Sequence, residues 1–251
     1  MSRLPRALGM GSYEEMRRPS MQAFAQTMGL NMDLSKPLAP GQQAETQWLG
    51  ELRNCQAANS ASVYQRNSRA EFERAAKLIV EARNVVFLGL RSSFSIAFHM
   101  QYTCDWLREG THLASDTGGA WPEKVLGMDT SDVLVVVSQA PYTRAVVLMA
   151  QEIAKRGVKI VALTDSGLSP LARIAEASLL FDTASPSFFH SQVGALGLAE
   201  ALMSCVSDQS KDKSIARLAL RQDTLQRMGA YWERPTPISK RLREPIGSKG
   251  N

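Results

Sequence analysis

Two stretches of this chain share one grammar: an uninterrupted apolar run that stops and restarts as a hydroxyl-bearing helix start. The first is Asn84-Val-Val-Phe-Leu-Gly-Leu-Arg-Ser-Ser-Phe-Ser95, the second Asp132-Val-Leu-Val-Val-Val-Ser-Gln-Ala-Pro-Tyr-Thr143. A strand that is apolar on both sides belongs in a parallel sheet with helices on either face. Each run ends in Ser or Thr where a helix would begin. Free backbone N–H groups and the positive end of the helix dipole make that junction a natural anion site, and the hydroxyls add donors. Ser and Thr are also the favoured N-caps, and capping fully accounts for a lone one. Two junctions of the same layout point to a phosphorylated small molecule at the carboxyl end of a parallel sheet, with capping as the alternative.

The chain of 251 residues is 44% hydrophobic, enough for one large domain with a proper core. No stretch approaches the ~18 uninterrupted apolar residues of a membrane span, and Met1-Ser-Arg-Leu-Pro-Arg has no apolar signal core. A cytoplasmic protein with no membrane partner is therefore expected. Cys55, Cys104 and Cys205 are far apart and odd in number, which favours reduced thiols. None has ligand spacing to another Cys or to His99, His112 or His190, so neither a metal site nor a cofactor is expected. The net charge of +5 is a property of the tail, since residues 209–251 carry ten Lys/Arg against four Asp/Glu. A solvated basic tail attracts polyanions without specificity.

Residues 1–43 form no readable domain, and Pro37 and Pro40 mark their end as a linker. A helical pattern covers 44–66. Ser68 with Glu71 three residues on predicts a capping box opening the next helix. Helices are then expected at 95–109, 120–128, 143–156, 188–206 and 214–232. Strands are expected near 84–88, 111–115, 133–137, 158–164 and 177–181. Beyond Pro235 the composition predicts a disordered basic tail. This alternation describes an α/β fold: a five-stranded parallel sheet flanked by helices, doubly wound, with an N-terminal helical extension. Its domains are expected at 1–43, 44–232 and 233–251. Right-handed crossovers put the hydroxyl junctions 91–95, 138–143 and 164–169 on one carboxyl edge.

Over roughly 66–230 the chain resembles a sugar isomerase (SIS) phosphosugar-binding domain, and in particular the RpiR-type bacterial transcription regulators, where such a domain follows a helix-turn-helix. The likeness rests on Gly89-Leu-Arg-Ser-Ser93, Ser138 to Thr143, Ala154-Lys-Arg-Gly-Val-Lys-Ile-Val-Ala-Leu-Thr164 and Ser169-Pro-Leu-Ala172. By that resemblance Ser93 matches the phosphate-binding serine of the family's G-x-G-x-S turn. Ser138 and Thr143 match the ends of its S-x-S-G-x-T segment. Two departures stand out: Arg91 replaces the second glycine, and Ala140-Pro-Tyr142 replaces the central Ser-Gly-x. Losing those glycines narrows the approach to a phosphate; Arg91 either offsets this with a charge-assisted contact or faces solvent or a partner subunit. Segment 6–18 resembles the end of a helix-turn-helix whose preceding helices are absent from the chain, so 1–43 is expected to be its remnant.

The resemblance implies a carbohydrate-derivative-binding domain of a transcription regulator. A sugar phosphate or related sugar acid would be held by Arg91, Ser92, Ser93, Ser138, Tyr142, Thr143 and His190. The alternative is a sugar-phosphate isomerase or lyase, which needs a positioned base, with His190 and Glu109 as candidates and Glu200 as a further carboxylate. A third reading keeps only an oligomerisation module. Under all three the apolar faces of 188–206 and 44–66 favour a homodimer or larger assembly. DNA is a partner only if a complete helix-turn-helix lies upstream.

Overall fold

A computed structural model of the chain describes residues 45–115 and 117–232. The expected helix-turn-helix remnant at 1–43 and the basic tail at 233–251 lie outside the described residues.

Two helices come first, α1 (Glu45–Gln65) and α2 (Arg69–Glu81). The capping box forms as predicted: Glu71 N–H donates to Ser68 Oγ at 3.3 Å, and Ser68 N–H donates to Glu71 Oε2 at 2.6 Å. Strands and helices then alternate as β1 (Val85–Leu88), α3 (Phe94–Leu107), β2 (Thr111–Ala114), α4 (Trp121–Leu126), β3 (Val133–Val137), α5 (Arg144–Lys155), β4 (Lys159–Thr164) and β5 (Ala177–Leu180). Two helices close the described chain, α6 (Val193–Gln209) and α7 (Lys211–Arg227). Among the described residues no helix is long and apolar enough to cross a membrane.

The five strands are parallel in the order β2-β1-β3-β4-β5. β1 and β3 are buried at every position, as their unbroken apolar runs required. Alternate residues serve opposite cores. Phe87, Val135 and Leu163 pack under α1, α2, α3 and α6, while Leu88, Val136 and Ala162 pack under α4 and α5. Each fully buried Val, Leu or Phe adds about 1.5–3 kcal/mol of transfer free energy.

The amino ends of β1 and β3 are tied by Asp132, buried to 2% exposure. Its carboxylate accepts from Arg83 Nε at 3.1 Å, Asn84 N at 3.2 Å and Asp129 N at 3.0 Å. Burial works against its charge, yet the Arg83 guanidinium, the Asp129 N–H and the Asn84 side-chain amide hold it below the usual carboxylate range.

Two helices depart from their expected bounds, and the one expected at 214–232 runs from Lys211 to Arg227. The helix anticipated over 188–206 begins only at Val193 and runs on to Gln209. Ser191 N–H donates to Thr183 C=O at 3.0 Å, which closes 183–191 as a loop. The helix is also not apolar all round: Leu198, Leu202 and Val206 are buried, whereas Leu196 and Glu200 are exposed.

Candidate functional site

Strand order reverses between β1 and β3, since β1 connects onward to β2 on one side and the chain later resumes at β3 on the other. In open α/β sheets the crevice beyond the carboxyl ends at that reversal is where ligands bind. The register pairs Leu88 with Val136, so the segments 89–93 and 138–143 leave the sheet side by side.

After β1 the chain folds back tightly. A Cβ on Gly89 would come within 2.5 Å of the Ser93 carbonyl oxygen, so glycine is required there. Arg91 sits at φ 57, the left-handed region, and its side chain is exposed. This is the position where the resemblance implied glycine, and a non-glycine residue in this region carries some strain. Ser92 is half-buried and Ser93 is buried.

Neither Ser93 nor Thr143 makes a side-chain cap hydrogen bond to its helix, although each occupies an N-cap position. Capping therefore does not account for these hydroxyls. Ser93 Oγ instead donates to Gln139 Oε1 at 3.0 Å. The third junction behaves differently, because Ser169 Oγ accepts from Ala172 N–H at 3.0 Å as an ordinary cap. Ser138 is buried, and neither its hydroxyl nor that of Thr143 has a hydrogen-bond partner among the described residues.

Gln139 joins the two edges of the crevice. Its Nε2 lies 2.8 Å from His190 Nε2 and 3.4 Å from Ser92 Oγ, which is itself 3.2 Å from the same His190 nitrogen. With Gln139 Oε1 occupied by Ser93, the amide N–H meets a ring nitrogen that accepts, which places the imidazole proton on Nδ1. Burial lowers the His190 pKa from its ordinary value, with Asp165 pulling the other way. The ring stacks on Phe189 at 4.2 Å between centroids.

Tyr142 turns toward the end of β4. Its hydroxyl donates to Asp165 Oδ1 at 2.9 Å, and burial together with that carboxylate pushes the phenol up to about 12. The Ala140–Pro141 peptide is cis, and Ala140 N–H donates to Asp165 Oδ2 at 3.2 Å. Gln192, two residues past His190, keeps both side-chain amide atoms buried without a partner among the described residues. A polar group left so costs about 1–3 kcal/mol.

Ser92, Ser93 and His190 are thus brought together through Gln139, Ser138 directly precedes Gln139 beyond β3, and Tyr142 turns to Asp165, with Thr143 at the start of α5. Glu109 is not part of it. It follows the end of α3, whose direction carries it to the amino edge of the sheet, where it is exposed and pairs with Arg217 at 3.0 Å. Glu200 is exposed on α6. Gln139 and Asp165 are the residues that sequence reasoning missed. The one available signal was their place, the second residue beyond β3 and the first beyond β4. The crevice offers neutral donors, an acceptor nitrogen and two helix N-termini, a set suited to an anionic, hydroxylated ligand.

A model of the SIS domain matches residues 78–204, half of the chain. The chain belongs to the SIS-domain family. Among its relatives is the HTH-type transcriptional regulator HexR of Pseudomonas aeruginosa, 26% identical in an alignment 184 residues long that covers 69% of this chain. The match spans 59% of the length of that curated relative. The sugar isomerase domain of an RpiR transcription factor from Sphaerobacter thermophilus superposes with a TM-score of 0.64 at 25% identity, over 70% of this chain and 97% of that one. Vibrio vulnificus NanR, solved with ManNAc-6P, superposes with a TM-score of 0.59 at 18% identity, over 90% of this chain and 80% of that one, which speaks to the fold. This SIS domain therefore has the architecture anticipated from its alternating runs.

Proposed function

We propose that this SIS domain is the sugar-phosphate-sensing part of a transcription regulator, in which occupancy of the crevice changes DNA affinity. The observation that carries the reading is the Ser93–Gln139–His190 network beside the uncapped Ser138 and Thr143, at the point where strand order reverses. Support from relatives is of two kinds. HexR and the Sphaerobacter protein are regulators by name, and NanR was solved with a phosphorylated sugar. Ser93, Ser138 and Thr143 bind the phosphate, Arg91 adds charge at its exposed side, and Ser92, Gln139 and His190 read the sugar hydroxyls. Residues 44–232 act as the sensing unit. DNA is contacted only where a complete helix-turn-helix precedes α1. The protein works in the cytoplasm.

A homodimer is part of the proposal. Phe94, Phe98, Tyr102 and Trp106 form a continuous aromatic row along α3, stacked from Phe94 to Tyr102 and edge-on at Trp106, with Phe98 and Tyr102 about half exposed. An aromatic row of this kind fits a self-complementary interface, and light scattering behind size exclusion reads it directly.

Isothermal titration with N-acetylmannosamine 6-phosphate, arabinose 5-phosphate, 6-phosphogluconate and the corresponding unphosphorylated sugars tests the ligand. At least one phosphorylated compound should bind. Ser93→Ala and Ser138→Ala should each weaken it about ten-fold, the loss of one charge-assisted hydrogen bond. No heat from any of them with the wild-type chain would sink the reading. One observation favours an aldose–ketose isomerase instead: His190 is a neutral imidazole inside the crevice. Isomerase turnover that disappears in His190→Ala would move the assignment there.

A further inference from the structure

Beyond β5 the chain stays extended along the outer edge of the sheet, and α1 with the turn that follows it covers that edge with side chains in place of a sixth strand. Asn67 pairs with both backbone groups of Leu180: Leu180 N–H donates to Asn67 Oδ1 at 2.7 Å, and Asn67 Nδ2 donates to Leu180 C=O at 2.7 Å. Asn59 does the same at Ala184, accepting from its N–H at 3.1 Å and donating to its C=O at 2.7 Å. Between them Ser62 Oγ accepts from Asp182 N–H at 3.0 Å, and Arg66 pairs with the Asp182 carboxylate. Residues 180, 182 and 184 present the same edge of an extended chain, as alternation requires. The clamp is buried, with Asn59 at 0%, Ser62 at 2% and Asn67 at 7% exposure. Two asparagines and a serine are seldom buried together unless their polar atoms are paired.

The clamped segment leads into the site. Thr183, between the clamped Asp182 and Ala184, accepts from Ser191 N–H at 3.0 Å, and Ser191 is the neighbour of His190. The junction is also closed sterically. A Cβ on Gly194 would lie 2.6 Å from the Asp182 oxygen and 3.1 Å from the Asn59 oxygen, so α1, the edge segment and the start of α6 meet in contact. Covering an edge strand against unwanted pairing would need no such continuity with a binding site.

We propose that Asn59, Ser62 and Asn67 are positioning residues for His190, and that through them occupancy of the crevice is coupled to the placement of α1. The coupling half rests on the sensing function proposed above; the positioning half does not. α1 is the helix that joins the sensing unit to whatever precedes it, so a ligand that draws in His190 pulls on Ser191, Thr183 and the two clamped neighbours. A contiguous hydrogen-bonded element of this kind can carry energy between two sites when both bias its position.

The test uses Asn59→Ala and Ser62→Ala in the full chain, with folding checked by circular dichroism. Ser62→Ala removes one hydroxyl, which accepts from Asp182 N–H and donates to Asn59 C=O, so it carries the test if Asn59→Ala does not fold. In the absence of ligand the His190 ring resonances and titration midpoint, read by NMR, should move in either variant. Unchanged ring resonances together with lost amide protection at Asp182 and Ala184 would reduce the clamp to edge cover and overturn the positioning role. With saturating N-acetylmannosamine 6-phosphate or arabinose 5-phosphate, whichever binds by calorimetry, amide exchange over 55–65 should slow about five-fold or more in the wild type and not in Asn59→Ala. Binding without that protection overturns the coupling and leaves sensing intact. If neither compound binds, the coupling falls with the sensing reading for these ligands, and the His190 readout alone decides the positioning role.

Discussion

Gln139 and His190, 51 residues apart in sequence, meet at 2.8 Å between side-chain nitrogens at the carboxyl edge of the sheet. The contact fixes more than a distance. Gln139 is buried to 4% exposure, and its other amide atom is taken by Ser93, so its orientation is set before any ligand arrives. A preorganised carboxamide of this kind lowers the ordering cost of binding.

Replacing Gln139 by Leu keeps the volume and removes both amide atoms. Ser93 and His190 each lose a partner, and the Ser93 hydroxyl stays buried. The expected loss is about 1–3 kcal/mol of stability, seen in urea titrations, and at least a ten-fold fall in affinity for the sugar phosphate that calorimetry selects. Full affinity in Gln139→Leu would remove the residue from the site.

His190 gives a pH dependence with a definite sign. Its folded pKa lies below the ordinary value near ~6.5, because burial disfavours the imidazolium. The unfolded chain therefore binds the proton first, and stability declines as pH falls from above that value toward the folded midpoint. NMR titration of the free protein should place the His190 midpoint below ~6.5, and a bound phosphate dianion should raise it. His190→Gln should flatten the stability profile over the same window. A free-protein midpoint at or above the ordinary value contradicts the buried, Gln139-facing ring.

The sheet was readable because β1 and β3 are continuous apolar runs, and no other common element hides such a run on both faces. The capping box at Ser68 was equally local. His190 was misplaced at a helix entrance because Phe188 and Phe189 extend the apolar run of α6, while the bond that makes 183–191 a loop, Ser191 to Thr183, joins residues by tertiary structure. Gln139 and Asp165 gained their roles only when crossovers set the strand ends together. Glu109 could have been rejected on topology alone: a helix that starts at the carboxyl edge ends at the amino edge.

Asp132 should govern acid stability at the opposite edge. Its depressed pKa contributes stability that is complete above the ordinary carboxylate value near ~3.9 and is lost as pH falls through the folded value. Asp132→Ala strands the Asn84 and Asp129 N–H groups and should cost about 2–3 kcal/mol at neutral pH, a fall of about 4–12 °C in Tm. Scanning calorimetry at pH 7 and pH 3.5 reads both effects, and the gap between wild type and variant should narrow at the lower pH, where the carboxylate begins to protonate. A gap of equal size at both pH values would show that packing, not charge, sets the role of Asp132.

Arg91 separates backbone shape from charge. A non-glycine residue at φ 57 costs about 1–2 kcal/mol, while glycine gives back about 0.5–1 kcal/mol through the freedom of its unfolded chain. Arg91→Ala, which keeps the strain, should therefore be less stable than Arg91→Gly by about 2–4 °C in Tm, the two variants sharing the loss of the side chain. Ligand affinity discriminates in the other direction. Both variants lack the guanidinium, so both should bind the sugar phosphate about ten-fold more weakly if Arg91 contacts the phosphate. The loss should shrink at high salt, since the side chain is exposed and its attraction is screened. If Arg91→Gly binds more tightly than the wild type, the arginine obstructs the turn rather than serving it, and the phosphate is held by Ser93, Ser138 and Thr143 alone.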